Sequence, residues 1–333
     1  MLSAVLALAG ALVYGSADFF GGLAARRLRS IVVTSVAAAS GLVVFLLMLP
    51  LAGGVWSPED AFWGVLSGFA GFIAIALLYA CLAIGPMSIL SPLTAVVSAI
   101  APMIWGLVVN GESLTAIGYA GLGVALVAVV LVGFIPGEKV VRPSARGLVM
   151  AVGAGLAIGA FLIVMDQTSH ESGLVPMVVN RMTSTTVTAA IVGVLVVTAL
   201  RRGRAAGSVF DAPAPGLGAT PTGHADLEHA VRAGDATAVT TAAPVAAAVA
   251  AIRMTRARAW QLAIVCGVLD AAANALMLFA LRAGELSIVS ALIALYPAGT
   301  ILLAAAVLRE RVAAVQWIGL ALALVAGGML ALA

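Results

Sequence analysis

Ten apolar stretches, each about as long as a helix that crosses a lipid bilayer, follow one another along this sequence. A soluble domain has roughly a quarter of its residues charged, whereas this 333-residue chain has 9% charged and 63% hydrophobic residues. No water-soluble core can use so much apolar side chain. We therefore predict an all-α integral membrane protein with ten transmembrane helices in contact with the lipid bilayer.

The first stretch is predicted to remain as a helix. It lacks a basic segment before its apolar run, and Arg26, Arg27 and Arg29 follow it, which is not the pattern of a cleaved signal. The ten predicted spans are residues 2–23, 31–51, 62–82, 88–109, 115–135, 147–165, 177–200, 260–281, 287–308 and 314–331.

Basic residues lie almost entirely in alternate connections between the spans. By the positive-inside rule this set is cytoplasmic and both termini face outward, in a multi-pass protein of the inner (plasma) membrane. The opposite set of connections holds only Arg181 and Arg282. The basic residues form no continuous face of the kind that binds nucleic acid. The first set comprises Arg26, Arg27, Arg29, Lys139, Arg142, Arg146, Arg201, Arg202, Arg204, Arg253, Arg256, Arg258, Arg309 and Arg311.

An internal repeat divides the spans into two sets of five. Residues 77–91 reappear as residues 276–290, and Tyr14-Gly15-Ser16 corresponds to Ile158-Gly159-Ala160. We predict repeats at residues 1–136 and 146–333, the second interrupted by an insertion at 201–259 whose Ala, Gly, Pro and Thr content predicts disorder. Because five is odd, the repeats enter the membrane with opposite polarity, which predicts an inverted repeat with a substrate site between the halves.

Ionisable residues inside the spans are the first candidates for that site, because a charge in hydrocarbon is costly unless it is paired or faces water. Asp270 is at the middle of the eighth span, and Asn274 follows on the same helical face. Asp270 could carry a proton or form an interhelical hydrogen bond. Asp18 could join the site or pair with Arg26. Arg181 could bind an anionic substrate or pair with Asp166 or Glu171.

Aromatic residues and prolines extend the set of candidates. Tyr14, Tyr79, Trp105 and Tyr296 could line a cavity or stack on a substrate, although packing and interface belts use the same residue types.

The prolines Pro92 and Pro102 in the fourth span and Pro297 in the ninth predict bends at corresponding places of the two halves. Glu112 and Glu310, each just before a span, are predicted to cap the helices that follow them.

No residue pattern indicates catalysis, a cofactor or a metal. Cys81 and Cys266 lie within spans and are predicted to be inert buried thiols. His224 and His229 lie in the insertion without further ligands. Lys139, the single lysine, follows Glu138, so the chain has no phosphate-binding loop. The energy source is therefore expected to be a proton or substrate gradient, or a separate ATPase subunit.

The chain resembles the EamA-type members of the drug/metabolite transporter (DMT) superfamily. The resemblance is carried by Tyr14-Gly15-Ser16, the junctions at residues 85–92 and 284–291, the turns at Glu112 and Glu310, and Gly121 and Gly319 after those turns. Arg181 also matches an arginine often found at the start of the second helix of a repeat, whereas Ala37 occupies the approximate counterpart position in the first half.

The resemblance implies secondary transport of small molecules such as metabolites, amino acids or drugs, usually by export, and it assigns no fixed substrate residues. It also implies cytoplasmic termini, opposite to the charge count. Alternatives are uptake of a sugar or metabolite by the same fold, or an integral-membrane enzyme acting on a lipid-linked substrate. The oligomeric state stays open, and a monomer suffices for this architecture.

Overall fold

The computed structural model describes residues 1–25, 27–84, 87–133, 144–211, 255–307 and 313–332. Helices dominate these segments, which otherwise contain short 3₁₀ turns at His170–Ser172 and Ala206–Val209 and one isolated β-bridge. The helices are α1 (Leu2–Ala25), α2 (Ser30–Ala52), α3 (Pro58–Ile84), α4 (Met87–Val108), α5 (Ala116–Gly133), α6 (Ala145–Asp166), α7 (Val175–Arg201), α8 (Arg256–Ala283), α9 (Leu286–Ile293), α10 (Pro297–Val307) and α11 (Ala314–Ala331).

The all-helical membrane architecture is confirmed. In the described part of the chain, nine helical stretches are long and apolar enough to cross a membrane, counting α9 and α10 together, and α4 adds the shorter apolar helix Leu93–Val108. Each predicted span matches one of these within four residues at either end. The larger shifts have local causes: the hydroxyls of Ser57 and Thr255 accept hydrogen bonds from Asp60 N and Arg258 N, so α3 and α8 begin earlier than their apolar runs.

The ninth span is broken in its middle. Helix α9 ends at Ile293, the chain turns through Ala294, Leu295 and Tyr296, and α10 begins at Pro297. Proline has no N–H to continue the α-helical ladder, and Tyr296 N instead bonds Ile293 O at 3.0 Å. A broken span is tolerated where it is enclosed by protein, and all eight residues of α9 are buried. Helix α4, by contrast, continues through Pro92 and Pro102.

Helices of the two predicted halves are interleaved. Helix α1 packs on α8, α9 and α10, and α6 packs on α3 and α4. Helix α2 packs on α8, and its counterpart α7 packs on α3. Further contacts between the halves join α2 to α7, α4 to α9 and α5 to α11. Exchanging the halves therefore maps the main packing pairs onto one another. This is the packing that an inverted repeat predicts, and we keep that repeat as our interpretation.

Small residues set the closest helix contacts. At Gly64 and Gly68 of α3, a Cβ would collide with α7, and at Gly155 and Gly159 of α6 it would collide with α4. The spacing of these glycines in the sequence is typical of such packing. At Gly15, the contact is with the backbone of Tyr296, Gly299 and Thr300, so α1 lies directly on the break in the ninth span.

The beginning of the predicted insertion is folded against the bundle. Phe210 O accepts a hydrogen bond from Arg29 N at 3.0 Å, and Asp211 pairs with Leu28 in the isolated bridge. The Asp211 carboxylate lies 3.8 Å from the guanidinium groups of both Arg27 and Arg256. Predicted disorder therefore does not describe residues 201–211. Residues 212–254, which include His224 and His229, lie outside the described part.

Candidate functional site

An ion pair between two helices marks the centre of the candidate site. Arg181 Nη2 lies 2.5 Å from Asp270 Oδ2, with 12% and 26% of the two side chains exposed. Helix α7 begins at Val175, which places Arg181 well inside the membrane helix. The predicted pairing of Arg181 with Asp166 or Glu171 is therefore wrong. Asp166 instead accepts a hydrogen bond from Asn110 Nδ2 at 3.0 Å.

Two further side chains, Tyr14 and Asp18, interact with this pair because α1 packs on α8, and Tyr296 of the broken span interacts with Asp18. Tyr14 interacts electrostatically with Asp18, Arg181 and Asp270. Asp18 interacts with Asp270, and Tyr296 interacts with Asp18. We call Tyr14, Asp18, Arg181, Asp270 and Tyr296 the central cluster. All five were candidates from the sequence, and the structure brings them together.

Asp18 is exposed even though its interaction partners lie in the bundle interior. More than a third of its surface is open to a water-sized probe. Its carboxylate also interacts electrostatically with Asp270, Tyr14 and Tyr296. Asp18 thus has charged and aromatic neighbours from other helices, although protein atoms cover only part of its surface. Among the residues that the structure describes, it has no ion-pair partner. With both acids ionised, the cluster carries one net negative charge.

The ion pair offsets the cost of placing charges at this depth. A buried guanidinium without a counter-charge is strongly unfavourable, and an aspartate on a facing helix supplies one. Gly41 of α2 lies beside the pair, since a Cβ at this position would be 3.6 Å from Arg181 Cδ and 3.2 Å from Gly267 O of α8. The Nε atom of Arg181 is buried without a hydrogen-bond partner in the described structure. One donor of this guanidinium is thus left unused by the protein.

The other sequence candidates lie apart from the cluster or outside the described side chains. Asn274 is 2% exposed, and its Nδ2 donates to Asp270 O on its own helix at 2.7 Å, so this donor is used within α8. Trp105 lies in the last turn of α4 with 37% of its surface exposed. The Tyr79 side chain lies outside the described part.

One end of the bundle is closed by contacts between connections and the helix ends beside them, and we call it the terminal face: residues 53–60, 109–115, 167–174 and 282–285. Asp60 accepts hydrogen bonds from Ser169 N at 2.7 Å and Ser169 Oγ at 2.8 Å. Arg282 Nη2 donates to Gly173 O at 2.7 Å, and Val55 N donates to Glu171 O at 2.8 Å.

The contacts of Asp60 and Arg282 were not among the predictions from the sequence. A serine three residues before Asp60 signals a helix cap, and Ser57 does cap α3. The bonds from Ser169 are long-range, and nothing in the local sequence indicates them.

Glu112 does not cap the helix that follows it. Its carboxylate accepts hydrogen bonds from Leu286 N and Ser287 N, the first residues of α9 in the other half of the chain. Helix α5, which follows Glu112, is capped by Thr115, whose hydroxyl accepts from Gly118 N at 3.2 Å. The predicted local capping role of Glu112 is therefore wrong. Glu310 lies outside the described residues.

A pocket of about 310 Å³ opens at the terminal face, away from the central cluster. Its acids include Asp60, whose carboxylate oxygens are already bonded to Ser57 and Ser169. Within the described chain, no group of three metal-ligating residues occurs. We therefore place the candidate site at the central cluster. The pocket is lined by Val55, Ser57, Glu59, Asp60, Gln167, Ser169 and Glu171.

Comparison with known families bears on the second half of the chain. Residues 232–332 match the model of the EamA-like transporter family. The resemblance to EamA-type transporters of the DMT superfamily is thereby confirmed. The EamA-like segment includes α8, α9, α10 and α11, and thus Asp270 and Tyr296 of the central cluster. The match covers less than half of the chain, and together with the apolar helices it indicates a multi-pass membrane protein with an EamA-like second half.

Solved structures show the same fold over the whole chain. A crystal structure of a protein that is 13% identical aligns with 99% of this chain and 98% of its own chain, with a TM-score of 0.61. At this identity the likeness shows the fold alone. No curated protein sequence matches the chain significantly.

Proposed function

We propose that this protein is a secondary transporter that exports a small polar or amphipathic molecule, with Asp18, Arg181 and Asp270 at its site. The observation that carries the proposal is the Arg181–Asp270 ion pair, which interacts with a second carboxylate, Asp18, inside an apolar bundle. Structural stability alone does not require a charged cluster at this depth, since apolar residues of similar volume are often as stabilising. Charges retained there favour a pathway for a substrate or an ion.

Exchange of partners at the ion pair would couple transport to a gradient. Protonation of Asp270 weakens its hold on Arg181, whose guanidinium then binds an anionic or polar group of the substrate. Asp18 supplies a second carboxylate for a proton or a substrate amine. Tyr14 and Tyr296 provide aromatic faces and hydroxyls beside Asp18. When Asp270 loses its proton, the ion pair forms again and the substrate leaves.

The proposed setting is the inner (plasma) membrane, with a proton or substrate gradient as the energy source. The proposal includes no cofactor, metal or nucleic acid, and a monomer contains the whole cluster. Sugar or metabolite uptake by the same fold is the alternative within transport. An enzyme acting on a lipid-linked substrate would be a different class, and the EamA-like segment favours transport over it.

Metabolite profiling of the growth medium tests this proposal. Cells expressing the wild type, Asp270→Asn, Glu59→Gln or an empty vector are compared at equal membrane abundance. Glu59→Gln removes an exposed acid of the terminal face and is the matched control. We expect one or more compounds to accumulate outside cells with the wild type and the control variant, and not with Asp270→Asn.

Two other outcomes would contradict parts of the proposal. Accumulation with Asp270→Asn as well would keep export and remove Asp270 from the site. No accumulation with any variant would contradict export, and uptake of labelled sugars and metabolites would then be measured with the same cells.

A further inference from the structure

We propose that Glu112 is a releasable clamp that holds the two halves together at the terminal face, and that its carboxylate must leave the N-terminus of α9 for this face to open. The inference rests on the proposed function in one respect, since a transporter must open its site to each side in turn. The clamp itself is argued from contacts.

The first observation is a carboxylate bound to a helix N-terminus across the halves. Glu112 Oε1 accepts from Leu286 N at 2.8 Å, and Oε2 accepts from Ser287 N at 3.0 Å. The first amides of a helix have no partner within it, and they lie at the positive end of the helix dipole. Both oxygens of one carboxylate are therefore used in charge-assisted hydrogen bonds, which are stronger than neutral ones.

The second observation is that the missing side chain of Gly106 leaves space for this carboxylate. A Cβ at Gly106 of α4 would collide with the Glu112 carboxylate, and Glu112 N donates to Gly106 O at 3.0 Å. The last turns of α4 thus hold the Glu112 backbone and leave space for its side chain. Any side chain at position 106 would displace the carboxylate from α9.

The third observation connects the clamp with the central cluster. Helix α9 has eight residues, all buried, and its other end is the break that carries Tyr296. The carboxylate of Glu112 and the site therefore lie at opposite ends of one short rigid element. When the carboxylate leaves, the amides of Leu286 and Ser287 need water as their acceptor. The terminal face therefore opens only when water reaches the N-terminus of α9.

Hydrogen exchange of the full-length protein in lipid nanodiscs, followed by mass spectrometry, tests the clamp without a substrate. The variants are Glu112→Gln, which keeps the shape and loses the charge, and Gly106→Ala, which displaces the carboxylate. Their controls are Glu59→Gln at the same face and Gly123→Ala, where a Cβ meets no neighbour within 4 Å.

In both test variants we expect amides of residues 286–296 to exchange about tenfold faster, as expected for loss of charged hydrogen bonds. Amides of α11 and both controls should keep wild-type rates. Unchanged exchange in residues 286–296, or a uniform increase over all helices, would overturn the clamp. If Glu112→Gln aggregates, Gly106→Ala decides by the same criterion. Because exchange needs no substrate, failure of the transport proposal would show separately, in the metabolite assay.

Discussion

Arg181 and Asp270 compensate each other's charge, and the free energy of unfolding of suitable variants measures this compensation. Arg181→Leu leaves the Asp270 carboxylate without its counter-charge inside the bundle. We expect a loss of about 2–3 kcal/mol, below the roughly 3–5 kcal/mol of a fully buried pair because the side chain of Asp270 keeps partial exposure. The double variant Arg181→Leu, Asp270→Leu should regain most of this stability.

Thermal unfolding of the purified protein in detergent compares the wild type with the single and the double variant. Equal losses in the single and the double variant would contradict the expected recovery of stability. The double variant also separates folding from function, since we expect it to be stable and unable to transport.

A second acid beside the clamp gives a pH-dependent prediction. Burial, and then the charge of Glu112, raise the pKa of Glu285 above its ordinary value of 4.5. The folded protein holds the Glu285 proton more tightly than the unfolded chain does. The free energy of unfolding therefore falls as the pH rises from 4.5 through the raised pKa. Glu285→Gln should therefore raise the melting temperature at pH 7 and not at pH 4. An equal effect at both pH values would contradict this account.

At the scale of helices, the contact between α1 and the broken span is the most sensitive to added volume. A Cβ at Gly15 would meet the backbone of Tyr296, Gly299 and Thr300, which cannot move aside as a flexible side chain can. We expect Gly15→Ala to cost about 1–3 kcal/mol, as overpacking does. Gly123→Ala, with open space around it, is the matched control in thermal unfolding. Equal melting temperatures for the two variants would contradict the backbone contact.

The sequence predicted the elements well and their partners poorly. The apolar runs determined the ten spans, and Pro297 indicated the bend in the ninth, because both signals are local. Arg181 seemed close to the outer acids because the apolar run of its span begins late, whereas the helix itself begins at Val175. The partner of Glu112 lies 174 residues away, and spacing along the chain carries no information on such a contact.

For the whole molecule, the orientation in the membrane is the decisive prediction. The terminal face carries Arg282 among its described residues, and Arg181 is now known to lie inside the bundle, so the charge asymmetry is sharper than the sequence suggested. We expect the terminal face to lie outside. Single cysteines at Gln167 and at Arg202, in a background lacking Cys81 and Cys266, test this with an impermeant maleimide.

Gln167→Cys should react in intact cells, and Arg202→Cys should react only after the membrane is permeabilised. The reverse labelling would place the termini in the cytoplasm, as the family resemblance implies. The ion pair and the clamp would then keep their contacts, and the clamp would close the cytoplasmic side.

The packing of α1 also has a consequence for biosynthesis. Thr300 Oγ1 donates to Gly15 O at 3.0 Å, across 285 residues of sequence. The ribosome adds about 5–20 residues per second, so the first helix enters the membrane many seconds before its partners α8 and α10 exist. During that interval Asp18 has neither of its later neighbours, Asp270 and Tyr296. The nascent chain must therefore keep a carboxylate-bearing helix in the bilayer until the last third of translation.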